Sequence, residues 1–447
     1  MKNICFVDNH NKTSFFLEVA KQLINEADSF WIVFSKKRYD LLSKFFEVEN
    51  ILLLNKDIRD KKSVGEFKII ELAHMDRVLR FNTSAGIRYL RNLQLPFINF
   101  IRNNKINLVV GEMTYAHEVL MYRMLVWDSL RSNCIYLNPH TIRIPSNRFA
   151  FFNSPDQNKF IDFLDGSECS SSLEVKKPKY FHRNNEIIKR QKSLVSRIRR
   201  IKRFLTAENI QNDHPSLISS RFIRLKIGLK EEFNRFIFPY IPISDDESVN
   251  TKNFVFYPLH KQPEASIDVI GMYYENQLTN LLNISRFIPE DFYLVVKEHP
   301  NAVGDRGYSF YRALLKRKNI ILVSPSSDSH YFIKKAHSIF TVSGTPAYEA
   351  ALMGKISFTF GECFFNKLKN CHKISIEDFR IHANYHGLID FKQKLNAQKM
   401  NKDEFSEYIN KHSFVGNIND PVTDSSCMSN VNITDVSNAF VKLLKNK

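Results

Sequence analysis

Neither a long hydrophobic run nor a paired cysteine motif occurs in this sequence. No stretch approaches the roughly 20 consecutive apolar residues that a membrane-spanning helix needs. The opening, Met1 to Asp8, passes straight into Ile4-Cys5-Phe6-Val7 without the basic start, apolar run and small-residue cleavage site of a secretory signal. The expectation is a cytoplasmic protein, at most peripheral on the inner face of a membrane. The six cysteines, Cys5, Cys134, Cys169, Cys363, Cys371 and Cys427, are scattered and form no C-x-x-C pair. Zinc and redox sites of the common kinds are thereby set aside, and reduced structural thiols remain. Cys363, Cys371 and His372 match no common ligand spacing, so neither a metal nor a resident cofactor is expected.

Acidic residues are few beside basic ones. Against 64 Lys and Arg stand 47 Asp and Glu, a formal net charge of +17. Such a balance calls for an anionic partner: nucleic acid, an anionic lipid surface or a phosphorylated substrate. No recognisable reader motif accompanies the charge, which argues against nucleic acid.

What the chain does contain is ordinary globular material in quantity. Its 447 residues, 43% hydrophobic and 25% charged, suit two or three domains. Short apolar runs alternate with amphipathic stretches: Ile4-Val7, Ser14 to Ile24, Trp31-Phe34, Tyr39 to Phe46 and Ile51-Leu54. That rhythm predicts a parallel sheet with helices on both faces. It recurs as a helix around Phe97 to Ile101, a strand at Ile106-Val110, a helix over Ala116 to Leu130 and a strand at Cys134-Leu137. The strands end in Asp8-Asn9-His10, Gly111-Glu112 and Asn138-Pro139-His140, polar residues of the sort that face the ligand crevice of an open α/β sheet.

Residues 153–250 read as a connector. A serine-rich patch (Ser167, Ser170, Ser171, Ser172) precedes a basic run from Lys189 to Arg203, in which Ile187, Leu194, Val195, Ile198, Ile201 and Leu205 recur near helical spacing. The basic residues then decorate an amphipathic helix, either as a solvated face or against a membrane surface. After the linker Ile243 to Ser248 the strand-helix rhythm resumes through Phe254-Pro258, Tyr273 to Ile284, Tyr293-Val296, Tyr308 to Arg317, Ile320-Val323, Tyr331 to Ala336, Ser338-Val342, Ala347 to Met353 and Ile356-Phe360. The expected division is 1–152, a connector 153–250, a second doubly wound domain 251–400 and a helical tail 401–447.

Three motifs carry chemistry. Lys297-Glu298-His299-Pro300 puts a cation, an acid and an imidazole at a strand end, where the His can donate to a phosphate or leaving-group oxygen. Ser343-Gly344-Thr345-Pro346 joins a strand to a helix, so backbone N–H groups and hydroxyls can meet phosphate oxygens. Thr345 has the position of an N-cap with Pro346 at the first helical position, and Glu349 one turn on suits a ribose hydroxyl. His260, Gln262 and Glu264 lie on a proline-stiffened loop after the first strand of the second domain. Asp245-Asp246 sits in a polar linker and reads as linker acidity rather than as a metal-binding pair.

The set Tyr257-Pro258-Leu259-His260-x-Gln262-Pro263-Glu264, Lys297-x-His299-Pro300, Ser343 to Leu352 with Gly354-Lys355, and Phe358 to Gly361 resembles the bacterial capsule polysaccharide biosynthesis proteins, a group that includes Kdo transferases. Pro139-His140-Thr141-Ile142-Arg143-Ile144-Pro145-x-x-Arg148-Phe149 is similar to a pattern from the same group. The resemblance implies an α/β chain of GT-B type, two Rossmann-like domains facing a central cleft. It implies a metal-independent glycosyltransferase whose substrates are a nucleotide sugar, CMP-linked and acidic such as Kdo, and a surface polysaccharide or glycolipid acceptor. Carried over, it gives donor binding to Lys297, His299, Pro300, Ser343, Gly344, Thr345, Glu349 and Gln262, and acceptor or phosphate contact to His140, Arg143 and Arg148. For catalysis Glu264 and Glu112 compete, with His260 beside them: Glu112 as base of an inverting reaction, Glu264 as base or as nucleophile of a retaining one. A glycerophosphate-type polymer transferase and a non-catalytic component of a capsule assembly complex are the alternatives.

Overall fold

A computed structural model describes residues 2–59, 63–128, 133–161, 173–175, 195, 198 and 213–446. The serine-rich patch and nearly all of the basic run expected as a connector lie outside the described residues. The chain divides into two compact units. The first combines Met1–Ser172, Asn209–Ser219 and Ser406–Lys447, and the second takes the remainder.

In chain order the first unit opens with β1 (Lys2–Val7), α1 (Lys12–Gln22), β2 (Ala27–Val33), α2 (Lys36–Leu42), β3 (Ile51–Leu53), α3 (Ile69–Met75), α4 (Thr83–Asn92), α5 (Gln94–Asn103), β4 (Leu108–Val110), α6 (Ala116–Trp127), β5 (Ile135–Ile142) and β6 (Arg148–Phe152). The second unit follows with α7 (Arg221–Ile237), β7 (Asn253–Pro258), α8 (Ala265–Asp268), α9 (Gln277–Phe287), β8 (Phe292–Lys297), α10 (Tyr308–Leu315), β9 (Ile320–Val323), α11 (Ser329–Lys335), β10 (Ser338–Thr341), α12 (Thr345–Leu352), β11 (Ile356–Thr359), β12 (Cys371–Lys373), α13 (Ile376–Ile381) and α14 (Tyr385–Lys394). Then come α15 (Lys402–His412), β13 (Phe414–Val415) and α16 (Asn430–Asn446).

Among the described residues the first sheet has the order β13-β6-β5-β4-β1-β2-β3 and the second β12-β11-β10-β7-β8-β9. From β3 through β5 the first sheet is parallel, and every pair in the second is parallel. Both are open doubly wound sheets of Rossmann type, as the strand-helix rhythm predicts. In each the strand order reverses once, between β1 and β4 and between β7 and β10. The crevice outside those carboxyl ends is where such sheets bind ligands.

Burial explains the strands. Leu294 and Val296 of β8 enter one hydrophobic cluster while Val295 between them enters another, so both faces of the strand are covered and the run reads as continuously apolar. Helix α16 shows the other periodicity. Its Ile433, Val436, Phe440, Leu443 and Leu444 form one stripe and join the cluster built from α1, β1 and β6.

Four expectations are corrected. Strand β5 does not stop at Leu137: after pairing in parallel with β4 it runs on through Asn138-Pro139-His140 to Ile142, paired antiparallel with β6. The helix expected over Tyr273 to Ile284 begins only at Gln277, where the Asn276 side chain accepts from the Thr279 N–H and caps it. Residues 401–447 do more than form a helical tail, because β13 pairs with β6 and α16 closes the first core. The cap of α12 is Gly344, with Thr345 the first helical residue and Pro346 the second. A Cβ at 344 would sit 3.0 Å from His260 Cε1, which is why the smallest residue holds that place.

All cysteines of the described residues are buried and free, and no cluster of His, Cys, Asp or Glu among those residues could hold a metal ion. None of the described helices is long and apolar enough to cross a membrane.

Candidate active site

In the second unit the ladder between β7 and β10 ends at Phe256 and Ile339, before either strand does. Beyond it, side chains make the connection. His260 Nε2 and Thr341 Oγ1 are 2.7 Å apart, and the buried His260 ring lies against Gly344, the cap of α12. Ser343 Oγ donates to the carbonyl of Ser266, tying the loop after β10 to α8. Gln277, buried at the start of α9, clamps the His260 backbone by accepting from its N–H at 2.8 Å and donating to its carbonyl at 3.1 Å. The same amide donates to Gln262 Oε1 at 3.0 Å, so Gln262 serves to hold this loop.

The loop after β8 is fixed from the other side. Glu298 is buried and fully engaged: it accepts from the His299 N–H and Arg306 Nη1, both at 2.6 Å, and from Tyr311 Oη at 2.7 Å. Arg306 also donates to the His260 carbonyl, so one guanidinium joins the two loops. His299 Nδ1 accepts from the Asn301 N–H at 3.2 Å, which places the proton of the neutral ring on Nε2. Pro300 is buried in the short turn that follows. Lys297 turns to the opposite face, where its Nζ donates to Ser329 Oγ at 3.0 Å. Burial lowers its pKa to about 8, with Asp328, Glu298 and Asp246 opposing.

Glu349 stands 3.1 Å from His330 Nε2, a pairing that any ribose hydroxyl would have to share. Glu264 precedes α8 and accepts from Ser266 Oγ at 3.3 Å. The structure thus brings His260, Gln262, Glu264, Ser343 and Gly344 onto one set of interlocked loops.

The first unit has its own crevice, at the ends of β1 and β4. Glu112 pairs with Lys12 and accepts from Asn9 Nδ2 at 3.0 Å. Burial pushes its pKa up, but Lys12, His140 and Arg77 outweigh burial and the carboxyl ends below its usual range. Asn9 Nδ2 also reaches Glu118 at 3.4 Å. Glu118 caps α6 through the N–H groups of Thr114 and Tyr115, yet burial carries its pKa up to about 8. His10 stacks on His214 at 4.5 Å, and Ser216 Oγ lies 2.8 Å from His10 Nε2 and 2.6 Å from His214 Nδ1. Across from them Asp8 Oδ2 and His214 Nε2, 3.8 Å apart, are both buried without a hydrogen-bond partner. Burial holds His10 and His140 neutral, each at about 4.

Of the expected acceptor contacts, His140 and Arg143 are electrostatic neighbours of this group. Arg148 is not available to a ligand. It is fully buried in β6, with Nε donating to Ser413 Oγ at 2.7 Å and Nη2 to the Ser413 carbonyl at 2.8 Å. Its role is to anchor the returning C-terminal segment, because a buried guanidinium must spend its donors on nearby acceptors.

The sequence marks some of these participants and not others. Asp8 and His10 lie at a strand end that the pattern points to. His214 and Ser216 reach the same crevice from far along the chain, and Gln277, Arg306, Tyr311 and Thr341 act as partners of motif residues without belonging to a motif.

No protein-family model matches the chain, and no curated relative does. Solved structures to which it is similar include the β-Kdo 2,7-transferase of KpsC from Thermosulfurimonas dismutans, at 13% identity over 99% of both chains with a TM-score of 0.38. The β-Kdo 2,4-transferase of the same organism's KpsC is 12% identical over 75% of this chain and 87% of that one, TM-score 0.31. UDP-GlcNAc 2-epimerase from Neisseria meningitidis bound to UDP-GlcNAc is 13% identical over 100% of both, TM-score 0.27. The similar structures thus include two Kdo transferases.

Proposed function

We propose that this protein is a metal-independent glycosyltransferase of GT-B type, taking an acidic sugar such as Kdo from a CMP-linked donor to a surface polysaccharide or glycolipid. The observation that carries the reading is the lock at the β7/β10 switch point. His260 lies on the glycine cap of α12, and Arg306 ties its loop to the His299 loop. A helix N-terminus at a switch point attracts phosphate, and imidazole donors beside it stabilise the negative charge that grows on a departing nucleotide.

In this reading His299 Nε2–H and the Thr345 backbone N–H hold the CMP phosphate, while the Gly344 N–H stays on Thr341 Oγ1, and Glu349 exchanges His330 for the ribose. Glu112 is the general base of an inverting transfer: ionised through Lys12, it takes the acceptor proton once the acceptor engages Lys12. Glu264 as nucleophile is the retaining alternative. Accumulation of a glycosyl adduct on Glu264, with product of unchanged anomeric configuration, would assign the reaction to that residue.

The test is thermal stabilisation by CMP, CMP-Kdo or CMP-sialic acid with EDTA present. A shift with a UDP or GDP sugar alone refutes the donor, and activity lost to EDTA refutes the metal-free mechanism. Gly344→Ala puts a methyl 2.8 Å from Thr341 Oγ1 and 3.0 Å from His260 Cε1. That variant is expected to fold and to lose the CMP-induced shift. A phosphodiester rather than a glycosidic product would point to a polymer transferase.

A further inference from the structure

Helix α7 has its polarity inside out. Its packed side holds the buried Gly228 and Asn234. Asn234 Nδ2 donates to the Gly304 carbonyl at 2.9 Å and Arg235 Nε to that of Val303 at 3.1 Å. The outward side carries Phe222, Leu229, Phe233 and Phe236, continued past the helix end by Tyr240. Their spacing keeps them on a single stripe. Phe222 is 75% exposed, Phe233 63% and Tyr240 72%, which is far from the burial such side chains normally reach. Exposed Arg221, Lys226 and Lys230 flank the stripe. Other exposed apolar residues, such as Ile381 and Val422, lie elsewhere along the chain.

A contiguous apolar stripe of this kind marks an interaction surface, and its border selects the occupant. A second copy would bring the same basic residues and its own net charge of +17 against them. An anionic surface satisfies both features, and a helix of 17 residues with Phe and Leu on one side and lysines at the rim has the composition that enters the headgroup boundary of a bilayer. The lysine stems lie along the apolar surface while their ammonium groups stay among phosphates.

We infer that α7 is an interfacial helix that docks the protein on an anionic phospholipid bilayer. Phe222, Leu229, Phe233 and Phe236 enter the acyl boundary, and Lys226 and Lys230 meet headgroup phosphates. The inner side of α7 grips the chain just after His299 and Pro300 so closely that a Cβ on Gly304 would lie 2.4 Å from Arg235 Cγ. Docking therefore sets the nucleotide loop at the membrane surface. That last link rests on the proposed function, whereas the membrane binding does not.

The full chain, without nucleotide, is sedimented with vesicles of phosphatidylcholine alone or mixed with phosphatidylglycerol. Pelleting is expected with the anionic vesicles only. Phe233→Ser with Phe236→Ser should lower the bound fraction roughly tenfold or more, and Lys226→Gln with Lys230→Gln should lower it most at low salt. These side chains are exposed, so melting temperature and any CMP-induced shift stay at wild-type values. Phe233→Trp supplies a second readout, a blue shift of emission on adding anionic vesicles. The inference falls if the wild type remains in the supernatant, or if the Phe variants pellet as well as it does. It also falls if the stripe instead supports a lipid-independent dimer that those substitutions abolish.

Discussion

Two buried carboxylates share the amide of Asn9 and are held in opposite charge states. Glu112 has Lys12 and stays ionised; Glu118 has only neutral donors, and burial raises it from 4.5 to about 8. The raised group favours the folded state fully below its unfolded value of 4.5, and the contribution is lost as pH climbs through about 8. Glu118→Gln keeps an oxygen for the Thr114 and Tyr115 N–H groups while removing the titration. Its melting temperature should therefore vary less than that of the wild type between pH 5 and pH 8, as a pair of thermal scans across that range would establish; an unchanged slope would remove Glu118 as the titrating group. This charge division was not legible in the sequence, which marks Glu112 at a strand end but gives no hint that Lys12 neutralises it. His260, Ser343 and Gly344 were legible because each follows a strand directly. Their partners Gln277 and Arg306 were not, since a hydrogen bond across a fold leaves no local pattern.

Elements follow the same division between local and distant information. Strands and helices built on dense apolar runs, such as β8 and α6, are visible in the sequence to within a residue or a few. Helix starts are read less closely: α9 begins at Gln277, capped by the Asn276 side chain, four residues after Tyr273, and the cap of α12 falls on Gly344, one residue before Thr345. The continuation of β5 beyond Leu137 depends on β6 pairing with it, and the role of residues 414–446 depends on a sheet laid down by the first 150 residues of the chain. Helix α16 gives the check. Phe440 has its ring centroid 5.0 Å from that of Phe151 and 6.0 Å from that of Phe6. Phe440→Ala should cost about 3–5 kcal/mol and lower the first unit's melting temperature by roughly 10 °C. A loss near zero would show that α16 is an accessory to this core. Gly416, at φ +139°, would bring a Cβ within 2.7 Å of Val436 Cγ2, so the approach to α16 is as tight as its burial suggests.

At the scale of the molecule, two units of different construction share one chain. Sheet order, core and switch point are separate in each, so scanning calorimetry is expected to resolve two transitions. CMP should raise only the one belonging to the second unit, because ligand stabilises what it binds. A uniform rise of a single transition would mean that the two units unfold as one. The first unit, however, is assembled from both sides of the second: β13 and α16 come from beyond residue 405. On the ribosome this reverses the usual order, in which N-terminal domains fold first. The second unit has all its strands once residue 405 has emerged, whereas the nascent β1, β4 and α1 must wait with one hydrophobic face uncovered until α16 has been made. The opening stretch of the chain is therefore a natural client for a holding chaperone during synthesis.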